Sequence, residues 1–334
     1  MSSREADNCF QVREQDYYLA TTTLPLAIGG IVVSATNIIF AVKHEMWSEL
    51  MERTTDCTKF GRSLNFNEIK RQGDRLGKIV YLSSIFSAII MAIYEIFTEK
   101  ACLLSNSGRN EICGLVIPVW LPSGLADSTM FKRCVLLYQV FTLLVGIMFT
   151  AILSLQNQVC QFIEDKTKHL SVLFNKINAA GTSTLQYQQF SFCMEYHQYI
   201  LKLCEQLNHT SKKTLGHVTL STSLVMSFFL YHGMKGNYPW FCYAGLFILN
   251  IGFMCHTGQR LEDAMSKVGD SLYLSSWYDC CIEIRKMIPF VVMRSQRSVG
   301  LQAVPIGILN YVLFAVVMKT TYTYMNLINN TGAQ

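Results

Sequence analysis

The chain has 334 residues, of which 51% are hydrophobic and 15% charged, with a formal net charge of +5. So few charges, against about a quarter in soluble domains, set aside an ordinary soluble enzyme and point to a polytopic membrane protein. The small positive excess is the usual asymmetry of such a protein and calls for no nucleic-acid partner.

Residues 1–20 mix acidic and basic side chains around no apolar core, so they do not read as a cleavable signal peptide. Six apolar stretches follow at 21–42, 78–98, 134–156, 214–234, 238–258 and 303–326. Each is close to the roughly 20 residues that cross a bilayer as a helix. No internal repeat or low-complexity tract divides them, and residues 1–334 read as one all-α membrane domain.

The loops 43–78, 157–213 and 259–302 carry eight, six and six Lys or Arg, twenty in all, against seven on the other side once Lys319 is excluded. The positive-inside rule then places these three loops in the cytoplasm and the C-terminus outside the plasma membrane. The loops are also patterned. Val159, Phe162, Ile163, Leu170, Leu173 and Ile177 recur at helical spacing, as do Met194, His197, Leu201 and Cys204, while Trp47, Leu50 and Met51 follow the first span. This pattern predicts cytoplasmic helical regions at 43–77, 157–213 and 259–302 that pack into a core of their own. The competing reading is a single amphipathic helix on the inner leaflet. Residues 178–184, small and polar, read as a loop.

The last span ends in KTTYTYMNL, from Lys319 to Leu327. Hydroxyls and amides at that density want water or one another, so the segment is expected to face an aqueous pathway. Thr323, Leu327, Asn330 and Thr331 follow at spacings that suggest one helix stripe, with Leu327 its one bulky apolar member. Lys319 is expected to turn to a side crevice, a carbonyl or an anion, because an ammonium inside a span costs about 3 kcal/mol unless it meets water or a partner.

Other signals carry less. Asp74-Arg75-Leu76 precedes a span, whereas the acidic-arginine motif of G-protein-coupled receptors follows one, and no Asn-Pro-x-x-Tyr stands in the last span. The cysteines show no metal-ligand spacing. Cys102 and Cys113 share an outer loop and could pair; Cys280 and Cys281 are acylation candidates or buried thiols. The Asn208 sequon lies on the cytoplasmic side and that at Asn329 too near the membrane, so neither should be glycosylated. No nucleophile–base pair, phosphate loop or paired carboxylates argue for catalysis, and no cofactor is expected.

Several elements taken in order resemble the insect odorant receptor family. They are IPVWLPS at 117–123, HQYILKLCEQLN at 197–208, SLYLSSWYD from Ser271, RKMIPFVVMRSQR at 285–297 and the KTTYTYMNL ending. The family has seven helices with a cytoplasmic N-terminus. The first span here matches its second, and residues 1–23 read like the loop before it, so the chain is expected to lack the first helix. The resemblance implies a tuning subunit of an odorant-gated, non-selective cation channel, a heterotetramer with a shared co-receptor. Residues 285–297, interrupted at Pro289, would form the cytoplasmic half of the pore-lining helix. Leu327 would hold the gate position, with Asn330 and Thr331 at the outer mouth; the plain alternative is that Leu327 packs on a neighbouring helix. The resemblance also implies an odorant pocket in the outer half-helices. Its candidates are Ile28, Ile31, Ala88, Met91, Ala92, Glu95, Tyr138, Thr142, Val145, Tyr238, Phe241 and Tyr243, and its ligand is a small volatile molecule. A gustatory-type receptor channel, a secondary transporter and a truncated fragment without function of its own stand as alternatives. Pro25 and Gly29-Gly30 are the one midspan interruption that hints at a transporter.

Overall fold

Eight helices hold most of the described residues of the computed structural model. Those residues are 21, 24, 25, 27–63, 65–105, 129–177, 182–236 and 239–331. Within them, the side chains of 80, 83, 84, 87, 88, 90–92, 94–105, 129, 132, 139, 140, 142–145, 147, 239, 242 and 331 lie outside the description.

Helix α1 (Ala27–Val42) meets α2 (His44–Thr55) at a bend of 68°. Lys43 leaves the helical region there, with φ −100 and ψ 16. Its ammonium donates to the carbonyls of His209 and Thr210 at 3.2 and 2.9 Å, which clips the corner to α5. Beyond the bend the apolar stretch gives way to an amphipathic one. Trp47, Leu50 and Thr54 point inward at spacings of three and four, and Glu49, Glu52 and Arg53 stay exposed.

Helices α3 (Phe66–Ser105), α4 (Thr129–Phe174), α5 (Ser183–Met234) and α6 (Pro239–Leu274) have 40, 46, 52 and 36 residues. At about 1.5 Å per residue they run roughly 54–78 Å, well beyond the ~30 Å of a hydrocarbon core. Each therefore carries a predicted span and its flanking loop region in one rod. Among the described residues, α5 and the bent α1–α2 pair are long and apolar enough to cross a membrane by length and composition. Helix α4 packs along α3 and α6, and α5 along α6 and the last helix. Residues 178–184 are less of a loop than their composition suggests: α5 starts at Ser183 with Thr182 as its N-cap, and 178–181 lie outside the described residues. Small hydroxyl residues suit the first helical turn as well as a loop, so composition alone could not separate the two.

At the end that carries the three basic loops, the helices bury one continuous core. Val159, Phe162, Ile163, Leu170 and Ile177 of the first stripe are buried, as are His197 and Cys204 of the second; Leu173, Met194 and Leu201 are half-buried. Leu50, Leu170, Ile200, Leu203 and Leu207 are fully enclosed, each contributing about 1.5–3 kcal/mol by burial. The α2–α3 connection is pinned to this core. Phe60 stacks on Tyr196 with centroids 4.4 Å apart, Ser63 donates to the buried carboxylate of Asp165, and the Lys166 ammonium donates to the Asp56 carbonyl at 2.8 Å. The helices thus pack on one another here, in place of the lone leaflet helix.

The 3₁₀ turn Trp277–Asp279 leads into α7 (Ile282–Ser295), which continues past the exposed Pro289 although that residue has no N–H to give its ladder. Next comes a short antiparallel hairpin, β1 (Gln302–Ala303) with β2 (Gly307–Ile308), and only then α8 (Tyr311–Thr331). The predicted last span, 303–326, is thereby corrected at both ends. Pro305 has no N–H to continue a helix, Gly307 takes φ +140, and Asn310 caps α8 by accepting from the Leu313 N–H at 3.0 Å.

The linker between α7 and α8 is seated in notches. A Cβ added at Gly216 of α5 would stand 1.8 Å from the Val304 carbonyl oxygen, and one at Gly258 of α6 2.1 Å from that of Leu309. Backbone touches helix at both places, so only glycine fits. Asn208 completes the seat, donating to the Gly300 carbonyl at 2.9 Å and accepting from the Gln302 N–H at 2.8 Å.

Candidate functional site

Helix α8 has two contrasting faces. Leu313, Val317, Thr321 and Met325, four residues apart, are buried, and the Thr321 hydroxyl reaches the Ser223 carbonyl of α5 at 3.3 Å. On the opposite side Val312, Val316, Lys319, Thr323, Leu327 and Asn330 follow at intervals of three or four, and all are exposed. Leu327 is 60% exposed. Thr331, one residue past Asn330 but four past Leu327, keeps a register position at the edge of the same stripe. Its side chain lies outside the described ones.

One expectation changes here. The threonine hydroxyls do not all seek water: Thr320, Thr321 and Thr323 donate to the carbonyls of Val316, Val317 and Lys319 at 2.8, 2.9 and 3.0 Å. Such back-bonding satisfies a hydroxyl inside an apolar helix. Lys319 is exposed in line with Thr323, and none of the four ion pairs among the described residues includes it. The reason is register: residue 319 is four before 323, and the opposite face is taken up by contact with α5.

A second cluster sits at the other end of the bundle from the basic loops. Val225, Met226, Phe229 and Ala244 are buried together, and Ile28, Trp240, Tyr243, Phe247 and Met318 pack against them. The Phe229 ring is 5.3 Å from Trp240, 6.0 Å from Tyr243 and 5.5 Å from Phe247. A wall of this kind offers dispersion and ring-edge contacts to a small apolar molecule. Of the predicted pocket residues, the structure brings Ile28 and Tyr243 into this cluster. Phe241 lies near it, 40% exposed, where its ring crosses the Gly233 backbone. Ile31 and Tyr138 point outward, 69% and 67% exposed, and are not brought to the cluster. They occupy the outer flank of α1 and α4, where an apolar side chain can face lipid. The side chains of Ala88, Met91, Ala92, Glu95, Thr142, Val145 and Tyr238 lie outside the described ones. Sequence reasoning missed Phe229 and Trp240, although Trp240, Tyr243 and Phe247 at spacings of three and four were a readable signal.

Among the described residues Cys57, Cys134, Cys160, Cys193, Cys204, Cys255, Cys280 and Cys281 form no disulfide. Burial pushes Cys193 and Cys204 up to about 12 and raises Cys280, which keeps them neutral. The Cys102–Cys113 pairing lies outside the described residues. Among the described residues no group of three or more His, Cys, Asp or Glu is placed to hold a metal.

A profile of the family described as 7tm Odorant receptor matches residues 18–322. Odorant receptor 67c of Drosophila melanogaster is 24% identical over 142 residues, 41% of this chain and 35% of that protein. Odorant receptor 85c of the same organism is 28% identical over 115 residues, 33% of this chain and 30% of that one. The chain thus spans about a third of the length of the curated relatives it matches. Among solved structures, the olfactory receptor OR5 from Machilis hrabei superposes with a TM-score of 0.71 at 13% identity, covering 93% of this chain and 81% of that one. The same receptor in complex with eugenol gives 0.72 at 11% identity, covering 94% and 82%. At that identity the likeness establishes the fold.

Proposed function

Because the chain belongs to the 7tm odorant receptor family, whose members are multi-pass membrane proteins, we propose that it is the ligand-binding, tuning subunit of an odorant-gated cation channel. The observation that carries this reading is the two-faced α8. One side is packed on α5, and the other presents Lys319, Thr323 and Asn330 with Leu327 among them. An ammonium and an amide on the open side of an apolar helix need water or a partner subunit. A central pore shared between subunits supplies both. Leu327 then forms the apolar constriction that closes by dewetting, with Thr323 below it and Asn330 and Thr331 toward the outer mouth.

The ligand is a small volatile molecule bound in the outer half of the bundle. The aromatic cluster around Phe229 and the eugenol complex of the fold relative support that class. The partner is a co-receptor in a heterotetramer, and the C-terminus faces the outside of the plasma membrane, as the basic asymmetry of the loops indicates. The role is reception, and no catalytic step is assigned.

The test is whole-cell recording from cells that express the chain with a co-receptor while volatiles are applied. Ligand-evoked cation currents absent from cells with co-receptor alone are expected. A chain that reaches the surface with its partner, binds a volatile and passes no current would overturn the channel reading.

A further inference from the structure

A cavity of 810 Å³ opens at the basic end of the bundle, between the last turn of α2, the middle of α5, the end of α7 and the linker residues Ser298 to Gln302. Arg53, Lys202, His209, Lys212 and Arg294 line it, against a single carboxylate, Glu205. Three of these come from one face of α5, where 202, 205, 209 and 212 recur at intervals of three or four. Arg53 pairs with Glu49, but none of the four ion pairs among the described residues takes up Lys202, Lys212 or Arg294. Crowding extends to the rim. Lys43 is held below its ordinary value by burial and then by the charges of Lys213 and Lys212. Like charges gathered around one concavity repel, and a bound anion removes that cost.

Position narrows the anion. The apolar run of α1 stops at Val42 and that of α5 starts at residue 214, so Lys43 and Lys212 mark the level where the chain leaves hydrocarbon. A basic pocket between helices at that depth meets lipid headgroups. We propose that this cavity binds a polyanionic phosphate group, supplied by phosphoinositide headgroups of the adjoining leaflet. The phosphate chemistry follows from the cavity itself, whereas the lipid source rests on the orientation given above, with the basic loops in the cytoplasm. Its occupant would touch Arg294 and the Gly300–Gln302 backbone, and so bears on the linker that seats α8.

The test uses the purified full chain in neutral phosphatidylcholine nanodiscs. It is titrated separately with short-chain phosphatidylinositol bisphosphate, short-chain phosphatidylserine and free inositol trisphosphate. Saturable binding of the bisphosphate lipid well ahead of phosphatidylserine is expected. Removing one basic charge near a membrane surface weakens attraction roughly fivefold, so Lys202→Gln with Lys212→Gln should weaken it on the order of twenty-five-fold. Both positions avoid the core. Glu205→Gln should tighten binding about fivefold, a gain that a misfolded variant cannot mimic. Equal binding of phosphatidylserine, or unchanged affinity in both variants, would overturn the site. Saturable binding of free inositol trisphosphate with no binding of the bisphosphate lipid would overturn the membrane source. Because the readout is binding and not current, failure here is separable from failure of the channel reading.

Discussion

Replacing Gly216 by alanine should unseat the linker between α7 and α8. The new Cβ would lie 1.8 Å from the Val304 oxygen, 2.6 Å from its carbonyl carbon and 3.1 Å from its nitrogen. Bringing the first distance to 3.0 Å, the bottom of the range real Cβ atoms show, takes a movement of 1.2 Å, the difference between 3.0 and 1.8. The obstacle is backbone, so no side chain can swing away. The Val304 N–H donates to the Lys212 carbonyl at 3.0 Å, and Leu309 N–H to the Leu301 carbonyl at 2.8 Å, so the linker resists as a unit. Overpacking of this kind costs about 1–3 kcal/mol, and one strained hydrogen bond adds about 1 kcal/mol. At roughly 2–4 °C per kcal/mol in a chain of this size, the thermal midpoint should fall on the order of 10 °C. Size-exclusion thermostability of solubilised protein measures it. Gly146→Ala is the control, since its added Cβ meets nothing within 4 Å and alanine is the better helix former. If Gly216→Ala melts together with wild type while Gly146→Ala behaves as described, the linker does not sit in the notch and the seating argument fails.

The remaining predictions bear on pH, ligand, pore and orientation. Burial, reinforced by the Arg294 guanidinium, holds His197 down at about 4 against an ordinary 6.5. The unfolded chain therefore binds the extra proton first: about 3 kcal/mol of stability is intact above pH ~6.5 and is lost as pH falls toward 4. His197→Gln should flatten that slope in a pH series of thermal midpoints, and parallel slopes would refute the assignment. Phe229→Ala or Tyr243→Ala should reorder responses across a panel of volatiles at unchanged surface abundance; uniform loss of every response would point to packing or gating instead. Leu327→Ser should wet the closed pore and raise ligand-independent current, and Lys319→Gln should raise unitary cation conductance where Lys319→Arg does not. Unaltered basal current and conductance in well-expressed variants would take this face of α8 out of the conduction path. An epitope after Gln334 should stain on intact cells, and staining only after permeabilisation would reverse the orientation.

The parts of the fold that could be read in advance are those whose cause is local. Val159, Ile163 and Leu170 share a helix face by arithmetic alone, and one face of a polar-backed helix must find cover. The hairpin at 302–308 obeys a different logic. Its strands have two residues each, too short for any alternation to register, and the groups that hold it are Asn208 and Lys212 on another helix. Pro305 and Gly307 were a readable break signal that the span 303–326 ran across, but nothing along the chain tells that Gly216 and Gly258 had been left bare to receive the linker. A glycine inside an apolar helix reads as a weak point until its partner is seen.

The same division runs through the candidate site. The open face of α8 was legible as a stripe, yet how far it extends toward the start of the helix turns on the α5 contact, which leaves Lys319 on the open side. Lys319 shares a line with Thr323, and packing fixes that register. Turning residue 319 away from residue 323 would rotate Val317 and Thr321 off α5, exposing a buried valine worth about 1.5–3 kcal/mol and breaking the Thr321–Ser223 contact. Placing a solvated ammonium beside a water-filled path costs less than that. If that path is the pore, the helix keeps its packed face, and this subunit meets passing cations with a positive charge. That is why Lys319→Gln, rather than any change on the α5 side, is expected to raise conductance.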